Sequence, residues 1–251
     1  MSVVLESLKE DVFTITLNRP DKKNAMDYDL LKGLYEAMKN AAREKASFVV
    51  IRGSGGAFCS GGDIIAFKEA KDAEALIDAE AGVLNESIKA IRNIPAIVIA
   101  VMEGVAVGAG VGLALACDLS IATKKTIMNM GYRRIGLTPD GGGSFLLPRI
   151  VGAKLFNEMY LLSRNITMEE AKDLGLVNIV CDDSEVDGIL GELVGTLRSL
   201  PMETIGNHKD LVNRCLFAGL ETHLDRERRY VAEFASKPLF KQRLDEFFRR
   251  K

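Results

Sequence analysis

The chain has no tryptophan, two histidines and four cysteines among its 251 residues. His208 and His223 both lie near the C-terminus, which counts against a Ser-His-Asp triad and against a His-rich metal site. Cys59, Cys117, Cys181 and Cys215 form no C-x-x-C pair, so neither a zinc site nor a disulfide framework is indicated. A reduced, cytoplasmic chain is the expectation. No apolar run reaches membrane-spanning length, and the opening Met1-Ser-Val-Val-Leu-Glu6 has neither a basic region nor a long apolar one, so neither export nor a membrane partner is expected. Charge of one sign is also lacking. Lys plus Arg is 33 against 35 for Asp plus Glu, which gives no whole-chain case for binding nucleic acid.

With 47% hydrophobic residues, the chain has the material for a sizeable core. Residues 3–8 and 12–18 predict two short strands, the second with Phe13, Ile15 and Leu17 alternating with threonines. A helix capped by Asp27 follows, with Leu30, Leu31, Leu34, Ala37, Met38 and Ala41 at helical spacing. Phe48–Ile51 and Ala96–Met102 are continuously apolar, as in parallel strands covered on both faces. Residues 64–93 predict helix, 119–122 and 127–130 short strands, and 144–163 a helix in two pieces parted near Gly152. Thr167-Met-Glu-Glu170 matches a capping box, and residues 177–180 predict a last strand. Helix dominates from Glu185 onward. The alternation predicts an α/β fold with a mostly parallel sheet, divided as a core over 1–198 and a helical region over 199–251.

Two glycine-rich stretches interrupt this pattern. Gly104-Val-Ala-Val-Gly-Ala-Gly-Val-Gly112 follows a strand, but its G-x-G-x-G spacing and the early Asp118 fail the dinucleotide fingerprint. Two readings stay open for it. Small residues let a helix pack close to a sheet, or a helix starting near Ala109 points backbone N–H groups at an oxygen. In Ala57-Phe-Cys-Ser-Gly-Gly-Asp63, Phe58 reads as a core anchor, and Ser60, Gly61 and Gly62 let backbone approach a ligand. Cys59 and Ser60 have no histidine nearby in sequence to activate them.

These two stretches, with Ala116-Cys-Asp118, the early Asn18-Arg-Pro-Asp-Lys-Lys-Asn-Ala-Met26 and the later Leu161–Val177, resemble the crotonase (enoyl-CoA hydratase/isomerase) superfamily over essentially the whole chain. The resemblance implies a spiral of ββα turns and a C-terminal helical region used in trimer packing, as a homotrimer or a dimer of trimers. It implies an acyl-CoA thioester substrate and no separate cofactor, coenzyme A being part of the substrate. It places an oxyanion hole at the N–H groups of Ser60 and Ala109. Lys22, Lys23, Ala25, Gly61, Asp63, Ile64, Gly108 and Tyr132 fall against substrate or nucleotide, with the peptide groups of 22–25 lining an adenine pocket. The segment Ile64–Ala90 is expected to shape an acyl pocket whose occupant is not strongly charged.

The chain departs from the hydratase pattern at its acids. The two glutamates that handle water in hydratases fall at Gly112 and Tyr132. The acid left in a useful place is Asp140, in a segment similar to the isomerase branch that includes ring-1,2-epoxyphenylacetyl-CoA isomerase, where one carboxylate shuttles a proton. Pro139-Asp140 before a helix is also a common capping arrangement. Asp63 and Glu103 compete for the acid's role, Asp63 with the position of a cap for a helix at Ile64. An isomerase working through Asp140 is expected, against a hydratase with atypical acids or an acyl-CoA-binding scaffold.

Overall fold

The structure is a computed structural model that describes residues 2–249. Strands β1 (Val4–Lys9) and β2 (Val12–Leu17) form an antiparallel hairpin, and helix α1 (Tyr28–Arg43) follows with the Asp27 carboxylate accepting from the Leu30 N–H. Then come β3 (Phe48–Gly53), α2 (Ile64–Glu69), α3 (Ala73–Asn93), β4 (Ile97–Met102), β5 (Val105–Val107) and α4 (Ala109–Ala116). Next are β6 (Leu119–Thr123), β7 (Ile127–Asn129), α5 (Gly143–Leu162), β8 (Ile166–Thr167), α6 (Met168–Asp173) and β9 (Ile179–Cys181). Four helices finish the chain: α7 (Val186–Arg198), α8 (Ile205–Leu216), α9 (Leu220–Ala235) and α10 (Pro238–Arg249).

The main sheet runs β1-β2-β3-β4-β6-β9, and every pair except β1–β2 is parallel. Its apolar strands divide by alternation. Val49, Ile51, Val98 and Ala100 join α1, α3 and α4 in one core; Phe48, Val50, Ile97, Ile99 and Val101 face a second core closed by Val186 and Val194 of α7. Both faces being covered is why these strands carry no polar alternation. A small sheet, β5-β7-β8, stands beside it. The C-terminal helices return to the main core through Leu224, Val231, Phe240 and Leu244.

The expected elements are present, with three adjustments. The helix expected over 64–93 is broken after Glu69, and Asp72 caps its second part by accepting from the Ala75 N–H. The last strand is shifted to 179–181. Thr167 does cap α6, but the Glu170 carboxylate turns away from the helix end to pair with both Nη atoms of Arg164. The chain bends in α5 at Gly152, whose φ of 77° is open to glycine at little cost.

Candidate active site

Two loops are laced together to make one wall of the site. The Phe58 and Cys59 N–H groups donate to the carbonyls of Glu103 and Val105, and the Val107 N–H donates back to Cys59 at 2.9 Å. This holds Gly61 so near β5 that a Cβ there would lie 2.8 Å from the Val107 carbonyl oxygen. Helix α4 then starts at Ala109, after Gly108 with φ of 56°. An α-helix has no internal acceptor for its first N–H groups, so Ala109 presents a donor at the positive end of the helix dipole.

A cavity of about 420 Å³ opens against this wall. Ser60, Gly61, Ile64, Gly108, Ala109, Tyr132 and Asp140 all line it, so residues spread over eighty positions meet around one space. Its remaining walls are largely apolar, with Met26, Leu31, Phe67, Leu84, Val231 and Phe247 among them. A volume of this order suits a small-molecule group, and apolar walls with a few convergent polar atoms are typical of such sites.

Asp140 reaches this space from the turn before α5. Its Oδ1 accepts from the Tyr132 hydroxyl at 2.7 Å. Burial among protein atoms pushes its carboxyl up to about 6, while the tyrosine hydrogen bond pulls the other way. The Tyr132 hydroxyl is itself held well above its ordinary value by burial and the neighbouring Asp140, so it remains a donor. Asp140 does not cap α5. The N-cap is Gly142, with φ of 81°, and the acceptor at that helix end is Glu227 from α9. Its carboxylate takes the Gly142 N–H at 2.7 Å and the Ser144 N–H at 2.9 Å.

Of the two hydratase-type positions, Tyr132 holds a phenol in the cavity lining and Gly112 is closed to any side chain. Helix α4 packs so tightly on the turn before α5 that a Cβ at Gly112 would lie 2.2 Å from the Gly141 carbonyl oxygen. No side chain fits there without moving one of the two segments.

Other expected residues have structural work. Asp63, 2% exposed, accepts from the Ile65 and Ala66 N–H groups and pairs with Arg19 at 2.9 Å and Lys22 at 2.8 Å. Burial raises its pKa, but the hydrogen bonds from Lys22 and Arg19 outweigh that and hold the carboxyl below its ordinary value. Glu103 pairs with Arg52 at 3.2 Å and is not among the cavity residues. The N–H groups of 22–25 and three of their carbonyls are engaged inside the chain. The Lys23 carbonyl accepts the Ser60 N–H at 3.0 Å, the Lys22 carbonyl accepts the Ala25 N–H at 3.1 Å, and the Ala25 carbonyl accepts from Arg19 at 2.5 Å. The Ser60 N–H thus already has one acceptor inside the chain, and the carbonyls of 22, 23 and 25 have partners, because the loop folds back on itself. Lys22, Lys23, Ala25 and Asp63 lie outside the cavity lining.

Sequence reasoning missed Glu80, a buried carboxyl on the cavity wall, and Glu227. It also set aside a histidine that the fold brings to a serine: the Ser144 hydroxyl lies 2.8 Å from His223 Nε2. This is not a catalytic triad. Glu227 approaches the same Nε2, at 3.6 Å, whereas a triad places the acid on the opposite ring nitrogen. Residues 79 positions apart left no local signal of this contact.

Comparison with known proteins agrees with this geometry. A profile of the enoyl-CoA hydratase/isomerase family matches residues 7–251. The chain is 30% identical over 236 residues to 1,2-epoxyphenylacetyl-CoA isomerase of Escherichia coli (strain K12), covering 92% of this chain and 89% of that one. It is 29% identical to 4-chlorobenzoyl coenzyme A dehalogenase-2 of an Arthrobacter species, over 95% and 87% of the two chains. A crystal structure of enoyl-CoA hydratase from Bacillus halodurans superposes with a TM-score of 0.91 at 26% identity, over 98% of this chain and 100% of that one. The ββα spiral is thus shared with relatives named for three different reactions, and the chain belongs to the enoyl-CoA hydratase/isomerase family.

Proposed function

We propose that the protein is an enoyl-CoA isomerase that moves a double bond with Asp140 as its one acid-base group. The observation that carries this reading is the state of the carboxylates around the cavity. Asp140 is freed from capping, oriented by Tyr132 and pushed up to about 6, and both hydratase-type positions lack an acid.

A 3-enoyl thioester binds with its carbonyl oxygen at the Ala109 N–H and shares the Ser60 N–H with the Lys23 carbonyl. Asp140 removes a proton from C2. The C–H pair moves into the conjugated system, and negative charge develops on the thioester oxygen, where the amide donors hold it. The protonated Asp140 then delivers the same proton to C4, the electrons return from oxygen, and the double bond lies between C2 and C3. One preorganised oxyanion donor is worth about 10²–10³ in rate in acyl-transfer enzymes. A base with a pKa near 6 is about 90% ionised at pH 7, yet becomes a strong enough acid to give the proton back.

Assembly as a homotrimer or a dimer of trimers belongs to the same proposal. Leu200, Leu211 and Leu216, all more than half exposed near or on α8, support an apolar contact between subunits. Sedimentation velocity of the purified chain tests it, and a monomer at micromolar concentration refutes it.

The activity is tested by assaying isomerisation of a 3-enoyl-CoA beside hydration of crotonyl-CoA. Isomerisation is expected to dominate. Hydration as the faster reaction would overturn the proposal, and tight acyl-CoA binding without turnover would place the chain among scaffolds.

A further inference from the structure

Resting on the acyl-CoA reading of the cavity, we infer that Glu80 is a specificity-determining residue, and that its buried carboxyl reads an oxygen, a hydroxyl or a carbonyl, carried on the acyl group. The inference begins with where Glu80 sits. Ile77, Glu80, Ala81 and Leu84 lie at the 3–4 spacing of one face of α3, and all four line the cavity. A carboxyl interrupts the otherwise apolar part of that helix that faces the cavity.

Glu80 is 5% exposed, and its Oε1 has no hydrogen-bond partner among the described residues. The neighbouring carboxylates Asp27 and Asp63 hold their own cations: Arg19 pairs with Asp27 and Asp63 at 2.9 Å each, and Lys22 pairs with Asp63 at 2.8 Å. A buried polar atom without a partner costs the fold stability and gains nothing from the protein itself. The cavity is where a partner for it can enter.

The charge state narrows the kind of partner. Burial pushes Glu80 up to about 8, and the negative charges of Asp27, Asp63 and Asp140 push in the same direction, while the Tyr28 backbone N–H opposes them. At neutral pH the group is mainly a carboxylic acid, with one O–H to give and lone pairs to accept. It therefore matches a hydroxyl or carbonyl oxygen and has nothing to offer a plain alkyl tail. This refines the expectation of an occupant that is not strongly charged: the tail carries an oxygen. A site built to hydrogen-bond a substrate oxygen discriminates strongly against the analogue that lacks it, because the protein group is then left unpaired.

The test uses the purified full chain and a series of 3-enoyl-CoA thioesters of matched length, with and without a hydroxyl at successive positions beyond C4. The parent is expected to favour one hydroxylated member over its alkyl counterpart by about tenfold or more in kcat/KM. Glu80→Met should collapse that ratio towards one or invert it, while Glu80→Gln, which keeps a donor and an acceptor, should retain most of the preference. Relief of the unpaired buried group should also raise the Tm of Glu80→Met in the absence of substrate. A parent that turns over the series with no preference, or a Met variant whose ratio is unchanged, overturns the role of Glu80 alone. A parent that binds no member of the series overturns the acyl-CoA reading on which it rests, and one that binds but turns over none overturns the isomerase reading.

Discussion

Asp63 and Asp140 stand in matching settings along the chain: each follows a glycine- or proline-marked loop, and a helix begins within three residues of it. The fold gives them opposite roles through their partners. Asp63 receives two helix N–H groups and two cations, and its carboxyl is held low. Asp140 receives one neutral hydroxyl, and burial holds its carboxyl high. The cap that Asp140 would supply comes instead from Glu227, which arrives from α9. An acid in a protein becomes available for proton transfer when other groups take over its structural duties, and the difference between these two aspartates is a case of that rule.

The largest test of the contrast is to neutralise each acid in turn. Asp140→Asn removes the base and should lower kcat for isomerisation by about 10²–10⁴, the range typical of positioned acid-base groups, with little change in thermal stability. Retention of full activity would end the assignment. Asp63→Asn should do the reverse. It weakens a cap worth about 1 kcal/mol and the charge-assisted hydrogen bonds to Arg19 and Lys22, so a loss of about 2–3 kcal/mol is expected in denaturant unfolding. Residual folded enzyme should keep its pH profile. If Asp63→Asn instead abolishes turnover in a protein of normal stability, the division of roles drawn here is wrong.

How far the sequence carried the reader differs between these acids. Most strands and helices up to residue 181 were legible because alternation and helical spacing record which face is buried, though the short β5 and β8 and the break between α2 and α3 were not, and the helix start at Ala109 was legible because glycines precede it. Capping of α2 by Asp63 was legible, since the interaction spans three residues. The freedom of Asp140 was not. It depends on Glu227, separated by 85 residues from the Gly142 N–H it receives, and no local pattern announces such a contact. Commitment of the Ser60 N–H to Lys23 was hidden for the same reason. Glu80 was partly legible: it lies three after Ile77 and four before Leu84, on the stripe that spacing assigns to the core. A residue of its type there is a departure that invites a functional question.

Tyr132 offers a finer test. Its hydroxyl favours the ionised form of Asp140, so Tyr132→Phe should raise the aspartate further above about 6. The base is active when ionised, and the acid limb of the kcat/KM profile should therefore move to higher pH. At pH 7 the loss should be about tenfold or less, since one hydrogen bond to a charged group is at stake, and it should shrink at pH 8 to 9. A loss of equal size at every pH would mean that Tyr132 positions the substrate rather than tuning the base.

The smallest expected effect falls on the substitute cap. Glu227→Gln keeps one acceptor oxygen for the two N–H groups now held by both carboxylate oxygens, which should cost about 1 kcal/mol in unfolding free energy and leave kcat nearly intact. Its pH dependence gives the sharper reading. Burial pushes Glu227 up to about 7, against the hydrogen bonds from Ser144 and Gly142, so the folded protein holds this proton more tightly than the unfolded chain does. The stability linked to that proton is fully present below the ordinary glutamate range and is lost as pH rises towards 7. Glutamine does not titrate. The parent's stability relative to Glu227→Gln should therefore be greatest near pH 4 to 5 and fall to a plateau above pH 7, as read from denaturant midpoints at the two ends. A difference that instead grows with pH would show that the ionised carboxylate is the favoured state at that helix end, and that the helix dipole prevails over burial there.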